Sequence, residues 1–136
     1  MRILFLGDVV GVSGCSKLLN NLKNEIESKK IDFVIVNGEN AASQGVGLTK
    51  EICNDFFNCG VDVITTGNHV WDQKEIMEYI NKEDRLLRPK NLFEPAPGNG
   101  FNILMGKSQP NFCNFFNLIN FFNISIIITT TITQSI

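Results

Sequence analysis

Histidine is almost absent from this chain, because His69 is the only one among 136 residues. That count excludes a hydrolytic centre built within these residues from several imidazole ligands. Cysteine occurs four times, at positions 15, 53, 59 and 113, without a C-x-x-C pair. These spacings fit neither a zinc knuckle nor a disulfide framework, so we expect reduced thiols in a cytoplasmic protein.

An excess of basic charge is also missing: 12 Lys and Arg stand against 14 Asp and Glu, for a formal net charge of -2. Nucleic-acid-binding proteins usually carry a basic stripe, so no nucleic-acid partner is predicted. The apolar run 1–6 ends at Gly7-Asp8, too soon for the apolar core of a signal peptide. A cytoplasmic location therefore remains the expectation.

Charged residues are lacking altogether in residues 111–136. Asn recurs there at every third position from 111 to 123, a period that neither a helix nor a strand has. These five Asn make a membrane span a weak interpretation, since amides are costly in a bilayer, and no membrane partner is predicted. We interpret 107–136 as a low-complexity, apolar and Asn-rich tail of high β-propensity and uncertain structure. A frameshift or gene decay is our hypothesis for its origin.

Residues 1–106, in contrast, have the pattern of an α/β domain. Apolar runs typical of strands buried on both faces lie at 2–7, 31–36 and 61–64, and 101–105 is a further candidate strand. Helical periodicity lies at 14–29, 49–57 and 72–80, whereas 85–100 is predicted to be a loop. Thr49 is the predicted N-cap of the second helix, and Asp72 with Glu75 forms a predicted capping box for the third. The alternation of strands and helices predicts a parallel sheet with flanking helices.

Polar clusters follow the ends of all three predicted strands: Gly7-Asp8, Asn37-Gly38-Glu39-Asn40 and Gly67-Asn68-His69. Because the carboxyl ends of parallel strands lie along one edge of a sheet, we expect these side chains to converge. Carboxylate and amide oxygens suit divalent metals, a carboxylate is able to bridge two ions, and an imidazole is able to donate a proton. Taken singly, each cluster is an ordinary cap, turn or structural histidine. Their position on consecutive strand ends favours a functional site.

The ordered motifs resemble a known family. Gly7-Asp8-Val9-Val10-Gly11, Asn37-Gly38-Glu39-Asn40-Ala41-Ala42 and Gly67-Asn68-His69-Val70-Trp71-Asp72 look like the first three motifs of the calcineurin-like metallophosphoesterases. They are most similar to a bacterial subgroup known for cyclic-nucleotide phosphodiesterase activity, and the resemblance covers roughly residues 1–105. It implies an α/β fold that corresponds to the first half of a four-layer α/β/β/α sandwich.

The resemblance also implies roles for single residues. Asp8 and Asn40 would help to hold one metal ion, Glu39 would bridge two, Asn68 would ligate the second, and His69 would be the catalytic proton donor. The implied cofactors are two divalent metal ions, Fe or Mn first and Mg or Zn as alternatives. The implied partner is a small phosphate ester. The loop at 45–47 would lie beside the active site.

This sequence departs from the family in one serious respect. Family members run to about twice this length, near the upper end of single-domain size, and their second half supplies three further His ligands. This chain has none of these three ligands, because His69 is its only histidine. We therefore expect a truncated phosphoesterase with impaired activity. An inactive relic and a non-catalytic metal- or nucleotide-binding α/β fragment remain alternatives. We also expect an uncovered sheet face, and with it a homo-oligomer.

Overall fold

A four-stranded parallel sheet organises the molecule. The computed structural model describes residues 2–105, 112–120 and 123–131. The sheet contains β1 (Ile3–Leu6), β2 (Phe33–Asn37), β3 (Val63–Thr65) and β4 (Leu86–Leu87), hydrogen-bonded in that order. The connections carry helices α1 (Gly11–Lys29), α2 (Lys50–Cys59) and the short α3 (Ile76–Tyr79). The predicted parallel α/β sheet with flanking helices is therefore confirmed.

The ends of the first two helices follow local chemistry. The Thr49 hydroxyl accepts a hydrogen bond from the Ile52 N–H at 3.2 Å, so the predicted N-cap is confirmed. Gly60 ends α2 with φ 113°, a left-handed conformation that favours glycine. At the end of α1, Lys30 takes the left-handed conformation instead, and the Ile31 N–H reaches the Ile26 carbonyl at 3.0 Å.

The third helix is shorter than predicted, because α3 spans Ile76–Tyr79 rather than 72–80. The predicted capping box is wrong, since both of its side chains have other partners. One oxygen of Asp72 lies 2.7 Å from His69 Nδ1, and Glu75 Oε1 accepts the Lys50 N–H at 2.7 Å. The residues before α3 form turns instead of helix.

The predicted loop over 85–100 is wrong at its start, where β4 pairs with β3. Directly after β4, Arg88 is only 2% exposed. Its guanidinium donates to the Gly98 carbonyl, the Pro89 carbonyl and Glu94 Oε1, at 3.1, 3.1 and 2.6 Å. One buried side chain thus ties the following loop to the end of the sheet.

Both faces of the central strands of the parallel sheet are buried. Alternation along β2 sends Val34 and Val36 to the helical side, where they join the larger core. The opposite side holds a smaller buried cluster with Leu104 packed against it: Phe33, Ile35, Val63 and Leu87. These four side chains are at most 1% exposed. The expected uncovered sheet face is therefore wrong for β2, β3 and β4, whereas Phe5 of the edge strand β1 is 42% exposed; the homo-oligomer stays a prediction.

A second, antiparallel sheet contains β5 (Phe101–Met105), β6 (Phe112–Asn120) and β7 (Asn123–Thr131), in that order. β6 and β7 pair along their whole length, from Phe112 opposite Thr131 to Asn120 opposite Asn123. Strand structure agrees with the high β-propensity predicted for this segment. The remaining residues of the predicted tail lie outside the described ranges. The division of the chain at residue 106 stays a prediction.

Three cysteines in the described part of the chain, Cys15, Cys53 and Cys59, are free and buried. The prediction of reduced thiols is confirmed for these three, and Cys113 lies in the part whose side chains are not described. Within residues 2–105, 112–120 and 123–131, no helix has both the length and the apolar character needed to cross a membrane.

Candidate metal centre

The three polar clusters converge at the carboxyl edge of the parallel sheet. Asn40 Nδ2 donates to Asp8 Oδ1 at 2.7 Å, although the two residues lie 32 positions apart. Two backbone contacts support this approach: Val10 bridges to Asn40, and the Gly11 N–H donates to the Asn40 carbonyl at 2.9 Å. The residues that follow β1 and β2 are thus in direct contact, as the sequence predicts.

Asp8 itself has an uncommon backbone conformation. Its φ is 41°, in the left-handed region that asparagine and aspartate visit more readily than most residues. The carboxylate is exposed at the sheet edge. Sparsely populated conformations of this kind cluster at functional sites, where the surrounding structure holds them in place.

Glu39 is the most constrained carboxylate of the site. Its Oε2 is buried and has no hydrogen-bond partner among the described residues. Burial raises the pKa of Glu39 above the ordinary value, and the charge of Asp8 raises it further; His69 and hydrogen bonds from the backbone of His69 and Asn68 lower it. Burial is the largest of these effects, because it disfavours the charged form of the carboxyl group.

Gly67 makes room for that carboxylate. A Cβ placed on Gly67 would lie 1.6 Å from Glu39 Oε2 and 2.3 Å from Glu39 Cδ. The glycine of the Gly67-Asn68-His69 motif is therefore required by a close approach. The third strand end joins the site through this contact.

Asn37 belongs to the second polar cluster, but the sequence assigns it no role of its own. Its side chain is fully buried, and its Oδ1 accepts the Glu39 N–H at 3.3 Å. Its Nδ2 has no partner in the described part of the chain. The signal available in the sequence was a polar residue that directly continues the apolar run of β2.

At the third strand end, Asn68 is exposed and His69 is half-buried. His69 Nδ1 lies 2.7 Å from Asp72 Oδ2, which leaves Nε2 as the ring nitrogen available to a ligand. Backbone hydrogen bonds from Asn68 and His69 to Glu39 bring the third strand end against this carboxylate. The structure thus brings all five predicted residues to one edge.

The donor set fits a hard divalent cation. Two carboxylates and two carboxamides offer oxygen ligands, and Glu39 Oε2 is a buried acceptor without a hydrogen-bond partner among the described residues. Within the described ranges, no three His, Cys, Asp or Glu side chains cluster closely enough to hold an ion by themselves. Amide oxygens would therefore have to complete the ligand set.

Comparison with known proteins gives consistent matches. The profile of the YmdB-like protein family matches residues 4–124. The 2',3'-cyclic-nucleotide 2'-phosphodiesterase of Bacillus subtilis (strain 168) is 46% identical over 109 residues, which is 80% of this chain and 41% of that protein. A hypothetical protein from Thermus thermophilus superposes with a TM-score of 0.80 at 32% identity, over 93% of this chain and 48% of that one. A Mycoplasma pneumoniae phosphatase gives a TM-score of 0.80 at 30% identity, over 96% and 47%.

The fold and these matches place the chain in the calcineurin-like phosphoesterase family, as the resemblance implied. More narrowly, the chain belongs to the family of YmdB-like proteins. It spans less than half the length of the relatives named here, 41% of the Bacillus protein and 48% of the Thermus protein.

Proposed function

We propose that this chain is a metal-dependent phosphoesterase that hydrolyses phosphodiesters, with cyclic nucleotides as the substrate class. The observation that carries the proposal is the meeting of Asp8, Glu39 and Asn40 at one sheet edge, with Glu39 Oε2 buried and unpartnered. The activity printed for the Bacillus relative supports the substrate class.

Each predicted residue receives a role in this proposal. Asp8 and Asn40 would hold one divalent ion, Fe or Mn first, Asn68 would hold a second, and Glu39 would contribute to both. When bound, such ions supply charge that stabilises phosphoryl oxygens and lowers the pKa of water. His69 donates a proton to the leaving oxygen, and its position near the carboxylates supports that role.

A small phosphate ester is the partner that this site would take. Further imidazole ligands must come from outside this sequence, because the chain has one histidine. We therefore propose that the chain alone turns over slowly. Self-association and a cytoplasmic location also remain proposals; light scattering on the purified chain tests the first.

One observation counts against a complete catalytic metal centre and so favours a second candidate function, a nucleotide- or metal-binding fragment without turnover. The described residues contain no cluster of three His, Cys, Asp or Glu side chains fit to hold an ion. Binding with no hydrolysis would identify this function, since both candidates share the carboxylate and amide donors.

Hydrolysis of bis(p-nitrophenyl) phosphate and of a 2',3'-cyclic nucleotide, with and without Mn²⁺, tests the proposal. We expect Mn²⁺-dependent turnover of both substrates. In His69→Ala, hydrolysis of the cyclic nucleotide should fall roughly 10²–10⁴-fold, the usual contribution of general acid–base catalysis, and hydrolysis of bis(p-nitrophenyl) phosphate should fall less, because p-nitrophenolate needs little protonation on departure. Asp55→Asn is the matched control, because Asp55 is an exposed carboxylate on α2 outside the site. Turnover that is indifferent to Mn²⁺, or equal in His69→Ala and the control, would contradict the proposal.

A further inference from the structure

Buried polar side chains lie at the carboxyl ends of three strands. Among the residues whose burial the structure describes, they are Asn37, Thr65, Thr66 and Arg88. The two threonine hydroxyls donate to backbone carbonyls, and the guanidinium has three acceptors. Asn37 differs, because its Nδ2 has no partner within this part of the chain. Buried polar groups are nearly always paired, so this one requires an explanation.

The orientation of the Asn37 carboxamide is fixed by the backbone of Glu39. Asn37 Oδ1 accepts the Glu39 N–H at 3.3 Å, and a carboxamide nitrogen cannot replace it, because that nitrogen only donates. The backbone of Asn37 is fixed as well, since its carbonyl accepts the Val9 N–H at 3.0 Å. The next residue is held in the same way, because the Gly38 N–H donates to the Thr65 carbonyl at 3.0 Å. A flipped amide would lose the hydrogen bond to Glu39, so the NH2 group is the part left unpartnered.

Stability does not account for an asparagine at this position. Burial of an unpartnered NH2 group is unfavourable, and a single neutral hydrogen bond stabilises by about as much. Leucine has the same branched shape, would continue the apolar row of Phe33 and Ile35 along β2, and would leave no donor unpartnered. Aspartate would supply the same acceptor, but it would add a third negative charge beside Glu39 and Asp8. Asparagine is thus the residue that offers Glu39 an acceptor of this shape without a charge.

Glu39 is consequently held from two directions. Its N–H donates to Asn37 Oδ1, and its carboxylate receives backbone hydrogen bonds from Asn68 and His69 at the third strand end. The side chain therefore reaches from the end of β2 to the turn after β3. Its Oε2 stays buried and has no hydrogen-bond partner among the described residues. Contacts that orient a metal ligand in this way raise the affinity of a site, because the ligand is already in place when the cation binds.

We propose that Asn37 is a positioning residue of the metal site. Its Oδ1 holds the Glu39 backbone in the conformation that carries the carboxylate to the third strand end, with Oε2 open to a divalent ion. The proposal rests on the function proposed above, in which Glu39 contributes to both ions. The unpartnered Nδ2 is a consequence of this role, because a neutral acceptor of this shape carries an amide nitrogen.

The first test needs no metal. In a ¹⁵N-labelled chain, Asn37→Leu removes the acceptor of the Glu39 N–H, so we expect faster hydrogen exchange at that amide. We also expect shifted amide signals of Asn68 and His69, because the carboxylate to which they donate moves. Asn37→Ala adds no volume and should show the same changes, whereas Asn37→Asp keeps the acceptor and should keep the Glu39 amide protected. Unchanged amides in the two apolar variants, or equally fast exchange in Asn37→Asp, would overturn the proposal.

Titration calorimetry with Mn²⁺ then measures the effect on the metal site. Loss of a contact that supports a metal ligand lowers affinity about 10–100-fold, and we expect a loss of this size in Asn37→Leu. The Tm of this variant should stay within about 4 °C of the native value, because removal of the unpartnered donor offsets the lost hydrogen bond. A structural role would lower affinity only together with a larger fall in Tm, and that outcome would overturn the proposal.

Thr65→Val is the matched control. Thr65 lies opposite Asn37 in the register of β2 and β3, is 3% exposed, and donates its hydroxyl proton to the Val36 carbonyl. Valine removes this buried hydrogen bond without a contact to Glu39, so the Mn²⁺ affinity and the Glu39 amide should stay native. An equal loss of affinity in Thr65→Val and Asn37→Leu would overturn the role of Asn37. If the native chain binds no Mn²⁺, the proposed metal-dependent function fails, whereas the amide measurements still decide whether Asn37 positions Glu39.

Discussion

Replacing Gly67 by alanine should displace the Glu39 carboxylate and remove the bridging donor from the proposed metal site. The new Cβ would lie 1.6 Å from Oε2, 2.3 Å from Cδ and 2.7 Å from Oε1 of Glu39. No real Cβ tolerates such distances, so the carboxylate has to move by more than 1 Å. The φ of Gly67 is not left-handed, so alanine adds no backbone strain of its own.

The expected losses of stability and of metal affinity both follow from this single contact. The clashing atoms are the end of a flexible side chain whose movement relieves most of the strain, so the stability cost should stay below about 1 kcal/mol, and at about 4 °C per kcal/mol the Tm should fall by less than about 4 °C. Loss of a supporting partner alone lowers metal affinity about 10–100-fold, and loss of the donor itself should cost at least that much. Differential scanning fluorimetry measures the first quantity, and titration calorimetry with Mn²⁺ measures the second.

Gly7→Ala is the matched control. Gly7 adjoins Asp8, but a Cβ there meets only Phe5 Cε1, at an ordinary 3.6 Å, and its φ is not left-handed. This variant should keep native stability and Mn²⁺ affinity. A double-mutant cycle sharpens the test, because Gly67→Ala should cost little in a Glu39→Ala background where the clash has gone. The reasoning is refuted if Gly67→Ala binds Mn²⁺ as the native chain does, or if its cost persists without Glu39.

Three further outcomes follow from the packing and the charges. Phe56→Ala, at a fully buried core position, should lower the free energy of unfolding by about 3–5 kcal/mol in urea denaturation, and a loss below about 1 kcal/mol would contradict the burial. Arg88→Lys should cost about 2 kcal/mol or more in the same assay, because lysine cannot reproduce the guanidinium's three hydrogen bonds. The Arg85 hydrogen bond lowers the pKa of Glu83 below its ordinary 4.5. Because this pKa is lowered by folding, the stabilisation is present above 4.5 and is lost as the pH falls below it, so Glu83→Gln should flatten that part of the pH–stability curve. An unchanged acid slope would contradict the assignment.

Much of the site could be predicted because its determinants are local. Each polar cluster directly follows an apolar run, and parallel strand order then places Asp8, Glu39 and Asn68 at the same edge. The Thr49 N-cap could be predicted equally well, since its hydrogen bond spans only three residues. Short-range pattern is sufficient for features of this kind.

What escaped prediction depends on contacts between residues distant in sequence. The Asp72–Glu75 capping box had the correct local spacing, but Glu75 is engaged by the Lys50 N–H, 25 positions away. On the sheet face opposite the helices, Leu104 packs against the buried cluster that contains Phe33, and no local sequence pattern predicts this contact. The role of Asn37 could not be predicted for a similar reason, because only its burial at the sheet edge distinguishes it from a turn residue. Periodicity carries no information about such partners.

The claim that three strand ends form a divalent-metal site is tested most directly by Mn²⁺ binding to the native chain, Glu39→Gln and Asp55→Asn. The account predicts saturable binding by the native chain and by Asp55→Asn. It predicts at least a roughly 10-fold lower affinity in Glu39→Gln, which keeps the side-chain shape but removes the charge. Equal Mn²⁺ affinity in all three proteins, or no binding by any of them, would contradict it.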